Sequence, residues 1–178
     1  MTNTITVDQL KKLLQIQKEF DSRITTLNLQ DSKVAYVVEF FEWFNTLETF
    51  KNWKKNPGKP LDVQLDELAD MLAFGLSIAN QVGVTSKEIK EAIETSFKDK
   101  AFHNKYNFKD KQFAQDAVVS TPELIFEENF PDELAIVIVT DIAHNLYSID
   151  QLITAYKKKM ERNHARQDGT ADKDKGYI

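Results

Sequence analysis

The chain has 178 residues, about one domain's length and enough to bury a hydrophobic core; 42% hydrophobic and 29% charged residues fit a globular rather than a disordered protein. The absence of cysteine excludes disulfides, a thiol nucleophile, cysteine-bound zinc and iron–sulfur clusters, and five glycines with four prolines are too few for a turn-rich β fold. The formal net charge is −5, with seven Lys/Arg against four Asp/Glu in residues 157–178 and sixteen against twenty-four in the rest; so acidic a body argues against general nucleic-acid binding.

The apolar pattern is helical nearly throughout. Thr6 or Asp8 can cap a first helix carrying Leu10, Leu13, Leu14, Ile16, Gln17 and Phe20. After a connection at 23–31, Asp31 or Ser32 can cap a second helix running to about Trp53. Asn56-Pro57-Gly58-Lys59-Pro60 breaks it, and a third helix runs from Leu61 to about Gln81, stopped by Gly83. A fourth starts at Thr85 or Ser86, with glutamates early and lysines at its end, as the helix dipole favours. Residues 99–130 are the least regular and read as short helices and loops, a candidate insertion. Pro131 suits the first position of a helix over 131–147, although the β-branched run there is also compatible with a strand. A last helix covers Ile149 to about Gln167, followed by a polar, flexible tail over about 168–178. The expectation is one all-α domain over 1–178, a helical bundle whose central antiparallel helices are the second and third. No basic segment leads into an apolar one at the N-terminus, and the run Leu68 to Ala79 is too short to span a bilayer, which points to a cytoplasmic protein without membrane contact.

On the second helix Val34, Val37, Val38, Phe41 and Phe44 fall on one stripe, read as its core face, with Glu39 and Glu42 on the flank. The third helix is apolar nearly all round between Leu68 and Ala79 and should be central, yet it holds Asp70, with Glu67 one turn earlier. A bare buried carboxylate costs several kcal/mol, so Asp70 needs a proton, a basic partner from another helix, or a metal. E-x-x-E, 24 residues, then E-x-x-D across a hairpin would bring four carboxylates together, which divalent cations would relieve; hard oxygen ligands favour Mg²⁺, with Mn²⁺ next. His103, His144 and His164 are too scattered to form a metal site. A plain hydrogen-bonded Asp70 is the alternative, and Glu48, Asp62 and Asp66 read as solvated helix faces. Lys159, Asn163 and Arg166 share a face of the last helix, where a lysine and an arginine could neutralise phosphate oxygens, with Arg162 as a further contributor; a solvated basic tail is the alternative.

Several blocks together resemble the dimeric, all-α dUTPases of the wider all-α nucleoside triphosphate pyrophosphatase (MazG-like) superfamily, most of all the phage-encoded branch found in staphylococcal phages. Leu13-Leu14-Gln15-Ile16-Gln17-Lys18-Glu19-Phe20-Asp21 is similar to the family's M-L-x-L-Q-x-x-L-N block, with Gln17 on its Gln and Asp21 at its Asn. Glu39-Phe40-Phe41-Glu42 and Glu67-Leu68-Ala69-Asp70 match the acidic motifs, and Phe50-Lys51-Asn52-Trp53-Lys54 the F-K-x-W-K block. Phe74 follows at the family's distance, with Ala73 where many relatives have His. Lys159, Asn163, Arg166-Gln167 and Gly169 match the C-terminal pattern, with Met160 at its first Asn and the closing Gly-Tyr displaced to Gly176-Tyr177.

The resemblance implies hydrolysis of dUTP, and of dUDP, to dUMP. It implies Mg²⁺ held by Glu39, Glu42, Glu67 and Asp70, with Glu39 polarising the attacking water. Lys159, Arg166 and Lys54 would bind phosphates, Gln17 and Asn163 would contact uracil, Trp53 would pack at the base pocket and Phe74 on the deoxyribose. For Trp53 and Phe74 a plain core role is the competing reading. The family further implies a two-fold homodimer with residues crossing between active sites, and its phage branch a second partner, the repressor protein of a staphylococcal pathogenicity island, for a protein acting in the host cytoplasm. The competing functions are a related pyrophosphatase with another base specificity and a non-catalytic interaction module.

Overall fold

The computed structural model describes residues 3–98, 106–128 and 131–172, and within them it holds seven α-helices and no strand. They are α1 (Val7–Asp21), α2 (Leu29–Leu47), α3 (Leu61–Val82), α4 (Ser86–Lys98), α5 (Lys111–Phe126), α6 (Leu134–Leu146) and α7 (Ile149–Gln167). His103, the Gly176-Tyr177 pair and part of the 99–130 stretch lie outside the described residues.

Local chemistry fixes most ends. Thr6 caps α1 and Ser148 caps α7, each in a reciprocal box with a glutamine three residues on, Gln9 and Gln151. Thr85 and Glu88 exchange the same pair of bonds at the start of α4. Gly83, at φ 86°, closes α3 in the left-handed conformation that glycine adopts without a Cβ penalty. The helix α2 differs from expectation at both ends. Its cap is Asn28, which accepts from the Asp31 amide, and it stops at Leu47, short of Trp53. The stop is Glu48, itself left-handed at φ 53° and almost wholly buried; its carboxylate accepts from Lys51 Nζ, Lys54 Nζ (2.6 Å) and the Gly58 amide. Glu48 is thus no solvated residue: it folds the 48–58 connection around itself, and those donors hold its carboxyl down at about 2.

The 99–130 region also differs. Lys111–Phe126 is a single helix, capped by Asp110 and carrying Pro122 inside it, rather than short helices and loops. Pro131 lies in a turn ahead of α6, accepting from the Leu134 amide, rather than at the first helical position. The β-branched run Ile136–Val139 is helical because the apolar face continues through Ile142, and all of these residues are buried.

The α3 helix is the axis of the bundle, packed by α1, α2, α6 and α7; α4 closes on α1 and α6, and α5 lies on α2. From Leu68 to Ala79 it is buried except at Asp70 and Phe74, as an all-round apolar helix should be. Gln81 bonds Ser32, Gly75 faces Tyr36, and Asp70 and Glu67 meet Glu39, so α2 and α3 run antiparallel. The core stripe of α2 is Tyr36, Phe40, Trp43, Phe44 and Leu47; of the stripe read from the sequence, Phe44 belongs to it and Val37 packs against it, whereas Val34 and Val38 are 46% and 47% exposed and Phe41 38%. The larger rings win the core because they bury more area and their polar ends find partners. Tyr36 donates to the Ala135 carbonyl at 2.6 Å, and Trp43 donates to the Tyr147 hydroxyl at 3.2 Å.

Candidate active site

Turning α2 by this much sets Glu39 against α3. Glu39, Glu67 and Asp70 each place a carboxylate oxygen within 4.8 Å of the others and could hold a divalent metal. Glu42 is exposed outside this trio, but its charge reaches both Glu39 and Glu67. Glu39 Oε2 is buried without a hydrogen-bond partner among the described residues. Burial, then the charges of Asp70, Glu42 and Glu67, push the Glu39 carboxyl up to about 8. Glu67 and Asp70 are raised as well, first by burial. Such a set of crowded, desolvated oxygens fits a cation.

The basic partner that Asp70 requires comes from α7. Lys159, 7% exposed, donates to Asp70 Oδ2 at 2.6 Å and to Asp66 Oδ2 at 2.7 Å. Burial works against its charge, but the two carboxylates outweigh burial and raise its pKa. Asp66, read from the sequence as a solvated face, is therefore part of this ion triad. Its spacing of four from Asp70, one helical turn, was the signal available.

Beside the acids lies a cleft of about 440 Å³ whose walls include Gln17, Glu39, Asp70, Phe74, Asn163 and Arg166. Asp21, Phe20, Ser77 and Gln167 complete much of the rest. Gln17 is 3% exposed and pinned at both ends: Tyr156 donates its hydroxyl to Gln17 Oε1 at 3.0 Å, and Gln17 Nε2 donates to Asp21 Oδ1 at 2.8 Å. The orientation of this amide is thus fixed by Asp21, which closes the same N-terminal block, and by Tyr156, which no sequence block singled out although it lies one turn before Lys159. Asn163 accepts from Arg166 Nη1 at 3.0 Å.

Two residues that the resemblance brought to the site stand elsewhere. Trp53 is 73% exposed and lines neither this cleft nor the core. Lys54 Nζ is engaged by Glu48. Both sit in the turn that follows α2, which the buried Glu48 carboxylate holds.

A family model described as dUTPase matches residues 9–170. A comparison with curated proteins gives no match. The matched stretch spans both acidic pairs, the cleft and the basic face of α7, and with an all-helical architecture around them the chain belongs to the all-α dUTPase family and is a dUTP diphosphatase.

Proposed function

We propose that this cleft converts dUTP, and also dUDP, to dUMP with Mg²⁺ as the preferred cation. The observation that carries the reading is the buried, unpartnered Glu39 Oε2 beside Glu67 and Asp70, at the wall of a cleft that also presents a fixed amide and an arginine. Magnesium held by Glu39, Glu42, Glu67 and Asp70 (manganese offers similar chemistry) would supply Lewis-acid polarisation of phosphate oxygens and a more acidic water. Glu39 orients the attacking water and accepts its proton as oxygen bonds to phosphorus and the pyrophosphate or phosphate departs. Arg166 and Lys159 offset the charge that develops on the phosphate oxygens. Phe74 packs on the deoxyribose, where a 2′-hydroxyl would be desolvated without a partner.

The pinned Gln17 explains base choice. An amide held in one orientation presents a constant donor to a uracil carbonyl and rejects the amino group of cytosine; a free amide would flip and serve either. Tyr156→Phe removes one pin, and the preference for dUTP over dCTP is expected to fall about tenfold while the fold persists. Steady-state kcat/KM for the two nucleotides measures it.

A second copy of the chain is part of the reading. Val34, Val38 and Phe41 form an exposed apolar face on α2 at helical spacing, the pattern of an unfilled interface. Trp53 could meet a base only across such an interface.

The test is incubation of the protein with dUTP, dUDP, dTTP, dCTP and UTP, with Mg²⁺ or EDTA, followed by anion-exchange separation of the products. Magnesium-dependent formation of dUMP, lost in Asp70→Ala and weak for dTTP and UTP, is the expected result. Cleavage of another base in preference would end the uracil reading.

A further inference from the structure

The end of α7 carries a second arrangement that shares Arg166 with the cleft. Arg162 lies between Lys159 and Arg166 along the helix, and both arginines converge on one carboxylate, Asp172. Arg166 Nε donates to Asp172 Oδ2 at 2.6 Å; Arg162 Nε donates to the same oxygen at 3.2 Å, and its Nη2 comes within 3.1 Å of it. The chain turns back sharply to make this contact. The Thr170 and Ala171 amides both donate to the Ala165 carbonyl, Gly169 takes φ 68° and Asp172 itself φ 46°. A left-handed Asp is tolerated but uncommon, so the ion contact and the turn hold it there.

A carboxylate bridging two guanidinium groups occupies the space and the donors that a phosphate would take; planar forks of this kind bind either anion. Arg166 also lines the cleft beside Glu39 and Asp70, where substrate phosphates are read to lie. We propose that Arg162 and Arg166 form a two-arginine fork for a phosphate group of the substrate, and that Asp172 occupies that fork in the empty enzyme and must leave before the phosphate can enter. The inference rests on reading the cleft as a phosphate site; it gives Arg162, a candidate from the sequence, a defined place in a fork with Arg166, and it adds Asp172 as a built-in competitor.

An internal competitor lowers apparent affinity by the fraction of molecules in which the fork is open. Because the ion contact is partly exposed, the expected effect is modest, about three- to tenfold. The probe is inorganic pyrophosphate in excess Mg²⁺, titrated calorimetrically into the full chain, with thermal melts to verify that each variant folds. Asp172→Ala is expected to tighten pyrophosphate binding by about three- to tenfold and to lower the KM for dUTP in parallel. Adding Arg162→Gln to Asp172→Ala should reverse that gain. Arg162→Gln alone should change affinity less than it does in the Asp172→Ala background, because it loosens the competitor as well as the fork. Unchanged or weaker binding by Asp172→Ala overturns the proposal, and so does a double variant that binds as tightly as Asp172→Ala. If pyrophosphate tightens as expected but dUTP is not cleaved, the fork stands and the uracil reading fails. If dUTP is cleaved and pyrophosphate does not tighten, the fork alone fails.

Discussion

In protein stripped of divalent metal, the melting temperature is expected to fall by about 5–10 °C between pH 6 and pH 9, and Glu39→Gln is expected to remove most of that fall. The folded Glu39 carboxyl sits at about 8, above its ordinary value of 4.5. Between those values the folded chain keeps a proton that the unfolded chain releases, so stability declines as pH rises and levels off once the folded group ionises. Over the part of the window between pH 6 and 8 this amounts to roughly 2–3 kcal/mol, which the length of the chain converts to the stated shift. Asp141, buried and raised to about 6, has the same sign, but its effect is nearly complete by the start of the range. Glu48, held low at about 2, has the opposite sign, and its stabilisation is lost only as pH falls below about 4.5. Saturating Mg²⁺ should flatten the wild-type slope, because a cation replaces the proton. In Glu39→Gln the slope should already be shallow, and kcat for dUTP should drop by about 10²–10⁴. Calorimetric melts in EDTA across the pH range, with and without Mg²⁺, measure the slope. A variant that retains the wild-type slope would remove Glu39 from the centre of the charge cluster.

What the sequence made legible divides along physical lines. The helices with self-contained end signals, α1 with its Thr6 box and α3 between Pro60 and Gly83, are readable from a few neighbouring residues. The burial of α3 and the need of Asp70 for a partner follow from one charged residue in an apolar stretch. The face of α2 that enters the core was legible only at Phe44, because valines and aromatics share that helix and only the competition for volume against α3 and α5 decides between them. The end of α2 was hidden for a related reason: Glu48 looks like any surface glutamate until Lys51, Lys54 and the Gly58 amide are folded around it. The Pro122 helix shows that a breaker in an otherwise helical pattern can be tolerated. In the cleft, residues that present a chemical group, such as Glu39 or Arg166, stand in recognisable blocks, whereas those that orient them, Tyr156 behind Gln17 and Asp66 behind Lys159, are joined only by the tertiary structure.

Lys159→Met is expected to be the most destabilising single change at the site in metal-free protein, by about 2–4 kcal/mol, and to recover part of that loss when Mg²⁺ is added. The side chain is 7% exposed, and its ammonium is bonded to both Asp66 and Asp70. Removing it leaves Asp70 desolvated beside Glu39 and Glu67 with no cation at 2.6 Å, the situation in which breaking a buried pair costs more than the pair itself contributes. Asp66→Asn is the contrast. Asp66 is about half exposed, so its loss should cost less than about 1 kcal/mol. Recovery by Mg²⁺ distinguishes a lysine that balances the carboxylates from one that merely fills space, since a cation in the acidic cluster replaces the missing charge but cannot replace the missing side-chain volume. Urea unfolding of both variants, with EDTA and with Mg²⁺, supplies the four stabilities needed. A loss in Lys159→Met that Mg²⁺ leaves untouched would mean that packing of the α7 helix against α3, rather than charge balance, is what the lysine provides, and the carboxylates would then have to be neutralised by protons alone.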